Sequence, residues 1–118
     1  MLWNDPVNNN EFGEYAEMLR VQANQTTFAN IAGFLPNTKR GTAYYYSDES
    51  VNKFLRANQL SHIIRAHEVI PPGFAFHCGG KVITVFSSSR YCGGLNEAAV
   101  VFVEQEMLRI CRMDTTTI

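Results

Sequence analysis

The 118-residue chain lacks any apolar run approaching the ~20 residues that a membrane-spanning helix needs. It also lacks a cluster of lysine or arginine that could follow a phosphate backbone. With a formal net charge of −1, nothing draws it toward nucleic acid or an anionic bilayer. Neither a nucleic acid nor a membrane is therefore expected as a partner. Cysteine is scarce: Cys78, Cys92 and Cys111 are odd in number and form no CxxC pair. That argues against a disulfide scaffold and for a reduced setting. The opening Met1-Leu2-Trp3-Asn4-Asp5 has no charged start followed by an apolar stretch and a cleavage site, so no signal peptide is expected. A cytoplasmic or nuclear location follows as the expectation. Internal repeats and low-complexity tracts are missing too. What remains, with 46% hydrophobic residues, is too apolar for a disordered tail and is sized for one domain at most.

The pattern along the chain predicts a mixed α+β fold with a largely antiparallel second half. Asn8-Asn9-Asn10 reads as a turn. Tyr15, Met18, Leu19 and Gln22 recur at helical spacing within Glu14 to Ala23, which holds no glycine or proline and predicts a short amphipathic helix. Gly33 to Pro36 reads as loop. Thr42 to Tyr46 is rich in β-formers. Ser47 offers an N-cap oxygen ahead of Asp48 and Glu49, and Val51, Phe54, Leu55 and Asn58 share a face, predicting a helix over 48–58. Ser61 to Ala66 reads as a short buried strand. Phe74 to His77 and Lys81 to Phe86 flank Gly79-Gly80 and predict a hairpin whose glycines supply positive φ. Ala98 to Val103 and Met107 to Cys111 predict a second hairpin turning at Glu104-Gln105-Glu106, and Thr115 to Thr117 a frayed tail.

Several residues could carry chemistry. His67 follows a short apolar run in Arg65-Ala66-His67; an imidazole there can offer one nitrogen to a metal, or serve as an ordinary loop histidine. Arg40 precedes Gly41 after a loop. Its planar fork suits a phosphate, although a surface arginine beside a turn glycine reads the same way. Tyr91 follows Ser87-Ser88-Ser89-Arg90, and its hydroxyl could reach a phosphate oxygen. Cys92 beside it reads equally as a structural free cysteine. Arg65 reads as a buttress of its strand, and His62 and His77 as structural.

Leu2-Trp3-Asn4-Asp5-Pro6, Arg40-Gly41, Arg65-Ala66-His67-Glu68-Val69 and Phe86-Ser87-Ser88-Ser89-Arg90-Tyr91-Cys92-Gly93 occur in this order. They resemble the L-W-S-D-P, R-G, R-A-H and F-S-A-P-N-Y-C-G segments of the phosphoprotein phosphatases, the metal-dependent, calcineurin-like serine/threonine phosphatases. The resemblance implies the C-terminal portion of a metallophosphoesterase β-sandwich flanked by helices. It implies His67 as ligand to one of two divalent metal ions of the Mn/Fe/Zn type, Arg40 as a phosphoryl contact, and Tyr91 with Cys92 on the substrate groove. Glu68 matches no family ligand, and Asp5 is placed near the site without a direct role. Pro36-Asn37-Thr38 resembles the EF-hand-containing branch, though no EF-hand loop occurs in the sequence. The chain departs from the family at Asn4, at Ser88-Ser89-Arg90 and at Asn96-Glu97-Ala98-Ala99.

The family's earlier motifs, resembling GDxHG, GDxxDRG and GNHE, do not occur in this sequence. Residues 1–114 are thus expected to form the last third of a catalytic domain, with an apparent insertion at about 7–35 and a tail at 115–118. The implied activity is hydrolysis of phosphoserine and phosphothreonine on proteins. Phosphoprotein substrates and regulatory protein subunits are the implied partners. The chain by itself, with His67 its one ligand, is expected to be inactive. The alternative is a pseudophosphatase remnant serving as a protein-binding module.

Overall fold

The computed structural model describes residues 4–23 and 33–114. Leu2, Trp3 and the Thr115 to Thr117 tail lie outside them, as does the middle of the 7–35 segment. The chain divides into two units: residues up to His62 with His77–Lys81, and Ile63–Phe76 with Val82 onward.

The first unit is built on a three-stranded sheet, β1 (Asp5–Pro6), β2 (Phe34–Pro36) and β3 (Tyr44–Tyr46), with β3 in the centre. β1 pairs with β3 in parallel, and β2 pairs with it antiparallel, Leu35 opposite Tyr45. The three tyrosines alternate as a strand requires: Tyr45 is buried while Tyr44 is exposed. β2 corrects the reading of Gly33 to Pro36 as loop. Its proline sits on an edge strand, where a missing N–H costs no ladder bond.

Helix α1 spans Asn9–Ala23, five residues longer at its start than the periodicity predicts. Asn8 explains the difference: its side-chain Oδ1 accepts the Glu11 amide at 2.8 Å, so the asparagine run caps a helix rather than making a free turn. Leu19 and Gln22 have side chains outside the described set. Val7, Phe12, Leu35 and Tyr45 form the core of this unit, and Tyr15 stacks on Tyr45 with ring centroids 4.8 Å apart.

Helix α2 spans Asp48–Asn58, as predicted, and buries Val51 and Leu55 while Phe54 stays exposed. Ser47 occupies the N-cap position, but its hydroxyl makes no capping bond. Instead the Ser50 hydroxyl donates to the Ser47 carbonyl at 2.8 Å. Gln59 ends the helix in the left-handed region, with the Leu60 amide returning to the Leu55 carbonyl at 2.9 Å.

The second sheet has the order β4 (Ile63–Arg65), β6 (Val82–Val85), β5 (Phe74–His77). β4 runs parallel to β6, so the second half is not antiparallel throughout. β4 is also an edge strand with Ile64 exposed, not the buried strand expected. The buried one is β6, whose Val82, Ile83 and Thr84 are essentially inaccessible. Cys78, Gly79 and Gly80 all take positive φ in the turn joining β5 and β6. β7 (Ala98–Glu104) and β8 (Met107–Met113) form an antiparallel hairpin in full register, two residues longer at its C-terminal end than predicted.

Candidate functional site

Arg40 is held in the middle of the β2–β3 connection by two partners. Asp5, on β1, accepts the Arg40 Nε at 2.5 Å and the Nη2 at 2.9 Å. Asn37 donates its Nδ2 to the same carboxylate at 2.7 Å and accepts the Arg40 amide on Oδ1 at 3.0 Å. Asn37 is nearly inaccessible, and the Asp5 and Arg40 side chains are 11% and 20% exposed. Two of an arginine's five N–H donors are thereby used to fix the plane of the guanidinium. The turn is closed by the Gly41 amide on the Asn37 carbonyl, Gly41 taking φ +73°. A shallow cleft of about 240 Å³, lined by Pro36, Asn37, Thr38, Gly41, Thr42 and Ala43, opens beside it. Asn4 contributes too, its Oδ1 accepting the Tyr44 amide at 3.0 Å. The sequence reading placed Asp5 near the site without a direct role, and named Asn37 only for a likeness to the EF-hand-containing branch. An asparagine following proline and three residues before the arginine was a turn signal that could have found it.

His67 belongs to the second unit and lies on the exposed loop after β4 with φ +79°, a conformation few non-glycine residues adopt. The loop is clamped across it. Arg65 Nη1 donates to Glu68 Oε1 at 2.6 Å and to the Thr84 hydroxyl at 2.8 Å, with Thr84 fully buried on β6. Strain of this kind persists only where neighbours over-determine the backbone. Glu68, set aside in the sequence reading, closes that clamp, and Arg65 is the buttress it was read to be.

Tyr91 and Cys92 share a second loop of the same unit, both exposed. The Tyr91 ring packs edge-to-face on Phe86 at 5.2 Å. Arg90 and Cys92 take φ +51° and +52°, and Gly93 +77°. Asn96, buried, stands beneath this loop. Cys78, in the first unit, has a thiol pushed up to about 12 by burial and by its hydrogen bond to Asp48, whereas Cys92 and Cys111 are exposed; all three are free. His62 bonds the neighbouring Ser61 hydroxyl at 2.9 Å.

Among the described residues, no three histidine, cysteine, aspartate or glutamate side chains gather as a metal-binding group. The described donors do not by themselves complete a two-metal centre. The described helices include none long and apolar enough to cross a membrane.

Among the described residues, two three-stranded sheets, two helices and a two-stranded hairpin make a mixed α+β chain, with a guanidinium fixed by a carboxylate. No family model matches it. It is 48% identical over 59 residues to the serine/threonine-protein phosphatase with EF-hands 1 of Rattus norvegicus, covering 50% of this chain and 9% of that protein. It is 35% identical over 77 residues to the serine/threonine-protein phosphatase rdgC of Drosophila melanogaster, covering 64% of this chain and 12% of that one. Among solved structures it is similar to a protein serine/threonine phosphatase from Saccharomyces cerevisiae with similarity to human phosphatase PP5. There the TM-score is 0.59 at 26% identity, over 69% of this chain and 29% of that one. The matched proteins are serine/threonine phosphatases, and the chain is similar to them over part of their length. It spans about a tenth of the length of these two curated relatives.

Proposed function

We propose that this chain is a C-terminal part of a metal-dependent serine/threonine protein phosphatase acting on phosphoserine and phosphothreonine in proteins. Residues 1–114 would supply the last third of its catalytic domain, with 7–35 as an insertion. The observation that carries the reading is the Arg40 turn. Asp5, itself held by Asn37, fixes the plane of the guanidinium before any ligand arrives, an arrangement that suits recognition of a phosphoryl group. In this reading Arg40 holds the phosphoryl group, Tyr91 offers its hydroxyl, Cys92 lines the groove, and His67 gives one nitrogen to a divalent ion of the Mn/Fe/Zn type. The ion would supply Lewis-acid chemistry when bound. Regulatory protein subunits and a cytoplasmic or nuclear setting belong to the same proposal.

A second reading, a non-catalytic pseudophosphatase remnant that binds proteins, is favoured by the lack of a three-donor group among the described residues.

The test is hydrolysis of p-nitrophenyl phosphate by the purified chain with added Mn²⁺, together with its metal content. Little turnover and no tightly held metal are expected from the chain alone. Robust turnover that resists chelation would contradict the proposal. Reading the transcript ahead of Met1 then separates the two readings: in-frame motifs resembling GDxHG, GDxxDRG and GNHE favour the phosphatase, and their lack the remnant.

A further inference from the structure

Asn96 carries no role so far, yet both polar atoms of its side-chain amide are bonded. Its Nδ2 donates to the Ser88 carbonyl at 2.7 Å and the Glu97 carbonyl at 3.1 Å. Its Oδ1 accepts the Tyr91 amide at 2.9 Å, and its own carbonyl accepts the Arg90 amide at 2.8 Å. The residue is 6% exposed, so these bonds form away from water, where an unmet partner is costly.

The loop it holds needs such an anchor. Arg90 and Cys92, neither of them glycine, both sit in the left-handed region, with Tyr91 between them. Gly94 completes the arrangement. Its amide donates to the Tyr91 carbonyl at 2.9 Å, and a Cβ there would stand 3.0 Å from that oxygen and 3.4 Å from Asn96 Oδ1. The Tyr91 ring is left half exposed, braced only edge-on by Phe86.

We propose that Asn96 is the positioning residue for Tyr91: its buried amide fixes the backbone from Ser88 to Tyr91 so that the phenol is presented at one place to a phosphate-bearing substrate. The role toward substrate rests on the phosphatase reading, whereas the anchoring of the loop does not.

The experiment is amide hydrogen exchange by NMR on the full 118-residue chain, compared among wild type, Asn96→Ala and Asn96→Asp. Each protein is then titrated with inorganic phosphate. Asn96→Ala should speed exchange of the Tyr91 amide at least tenfold while amides of the β7–β8 hairpin keep their rates. Asn96→Asp keeps an acceptor for that amide and, although it gives up the two donated bonds, should protect it better than Asn96→Ala does. Phosphate should shift the Tyr91 ring signals in wild type and shift them less in Asn96→Ala. If Asn96→Ala leaves the Tyr91 amide unchanged, or loosens the hairpin equally, the positioning role is overturned. Should Asn96→Ala fail to fold, a Tyr91 amide exposed in folded Asn96→Asp overturns it instead. If the exchange results hold but phosphate moves no Tyr91 signal even in wild type, the anchor stands and the phosphatase reading of Tyr91 fails.

Discussion

Arg40 and Asp5 show how one side chain can serve both fold and site. The pair is mostly buried and bidentate, so removing either partner strands a charge. Asp5→Ala and Arg40→Ala are each expected to destabilise the chain by about 1–3 kcal/mol, below the value for a fully buried pair because some solvent reaches both groups. A urea midpoint unchanged in both variants would refute this. Loss of phosphate binding in Arg40→Ala must therefore be read beside stability. Cys78 gives a second test at this scale. Its thiol is raised from an ordinary value of 9.0 to about 12, chiefly by burial and then by the Asp48 hydrogen bond. The fold thus keeps a proton that the unfolded chain gives up. The stability contributed is whole below about pH 9 and is lost as the pH climbs toward 12. At pH 8 iodoacetamide should label Cys92 and Cys111 well ahead of Cys78. Equal labelling by mass spectrometry would show that Cys78 is not protected.

At the scale of elements, α1 carries a removable weakness. Gly13 lies inside the helix, and a Cβ there would meet nothing within 4 Å. Gly13→Ala should stabilise the chain by about 0.5–1 kcal/mol through helix propensity and a less mobile unfolded state. Thermal unfolding checks it, and a lowered midpoint would count against the helix. Which elements were legible in the sequence follows from where their signals lie. α2 and the β7–β8 hairpin were readable because helical periodicity and turn residues lie within the segment. β2 was not, because three residues ending in proline become a strand only when β3 is there to pair with. β4 was placed correctly but assigned the wrong exposure. An apolar triplet does not say whether it will lie at the centre of a sheet or, as Ile64 does, on its edge.

For the whole molecule, the surface of the second unit is the main consequence. Leu95 is 94% exposed and Val103 69%, with Phe76, Phe102 and Met107 also half or more exposed. Among the described residues the hairpin forms a sheet of two strands. Exposed apolar side chains on unpaired strands favour association. The purified chain is expected to sediment as a concentration-dependent mixture at micromolar levels, and a strict monomer with a cooperative high-temperature transition would contradict that expectation.

The sequence by itself determined the mixed α+β class, the helix over 48–58, the β7–β8 hairpin and the residues at which a phosphatase resemblance concentrates, because each of these is written in local spacing and in motif identity. Only the tertiary structure decided what surrounds them. Asp5 lies 35 residues from Arg40 along the chain, and the pairing of β1 with β3 brings it onto the guanidinium, where Asn37 of the Arg40 turn also bonds the Asp5 carboxylate. Thr84 meets Arg65 because β4 runs parallel to β6 in that register. Asn96 reaches the Tyr91 amide across a loop whose turns depend on three residues with positive φ. Hydrogen bonds between residues distant in sequence leave no local periodicity, so the partners that hold these side chains in place emerge only when the chain has folded.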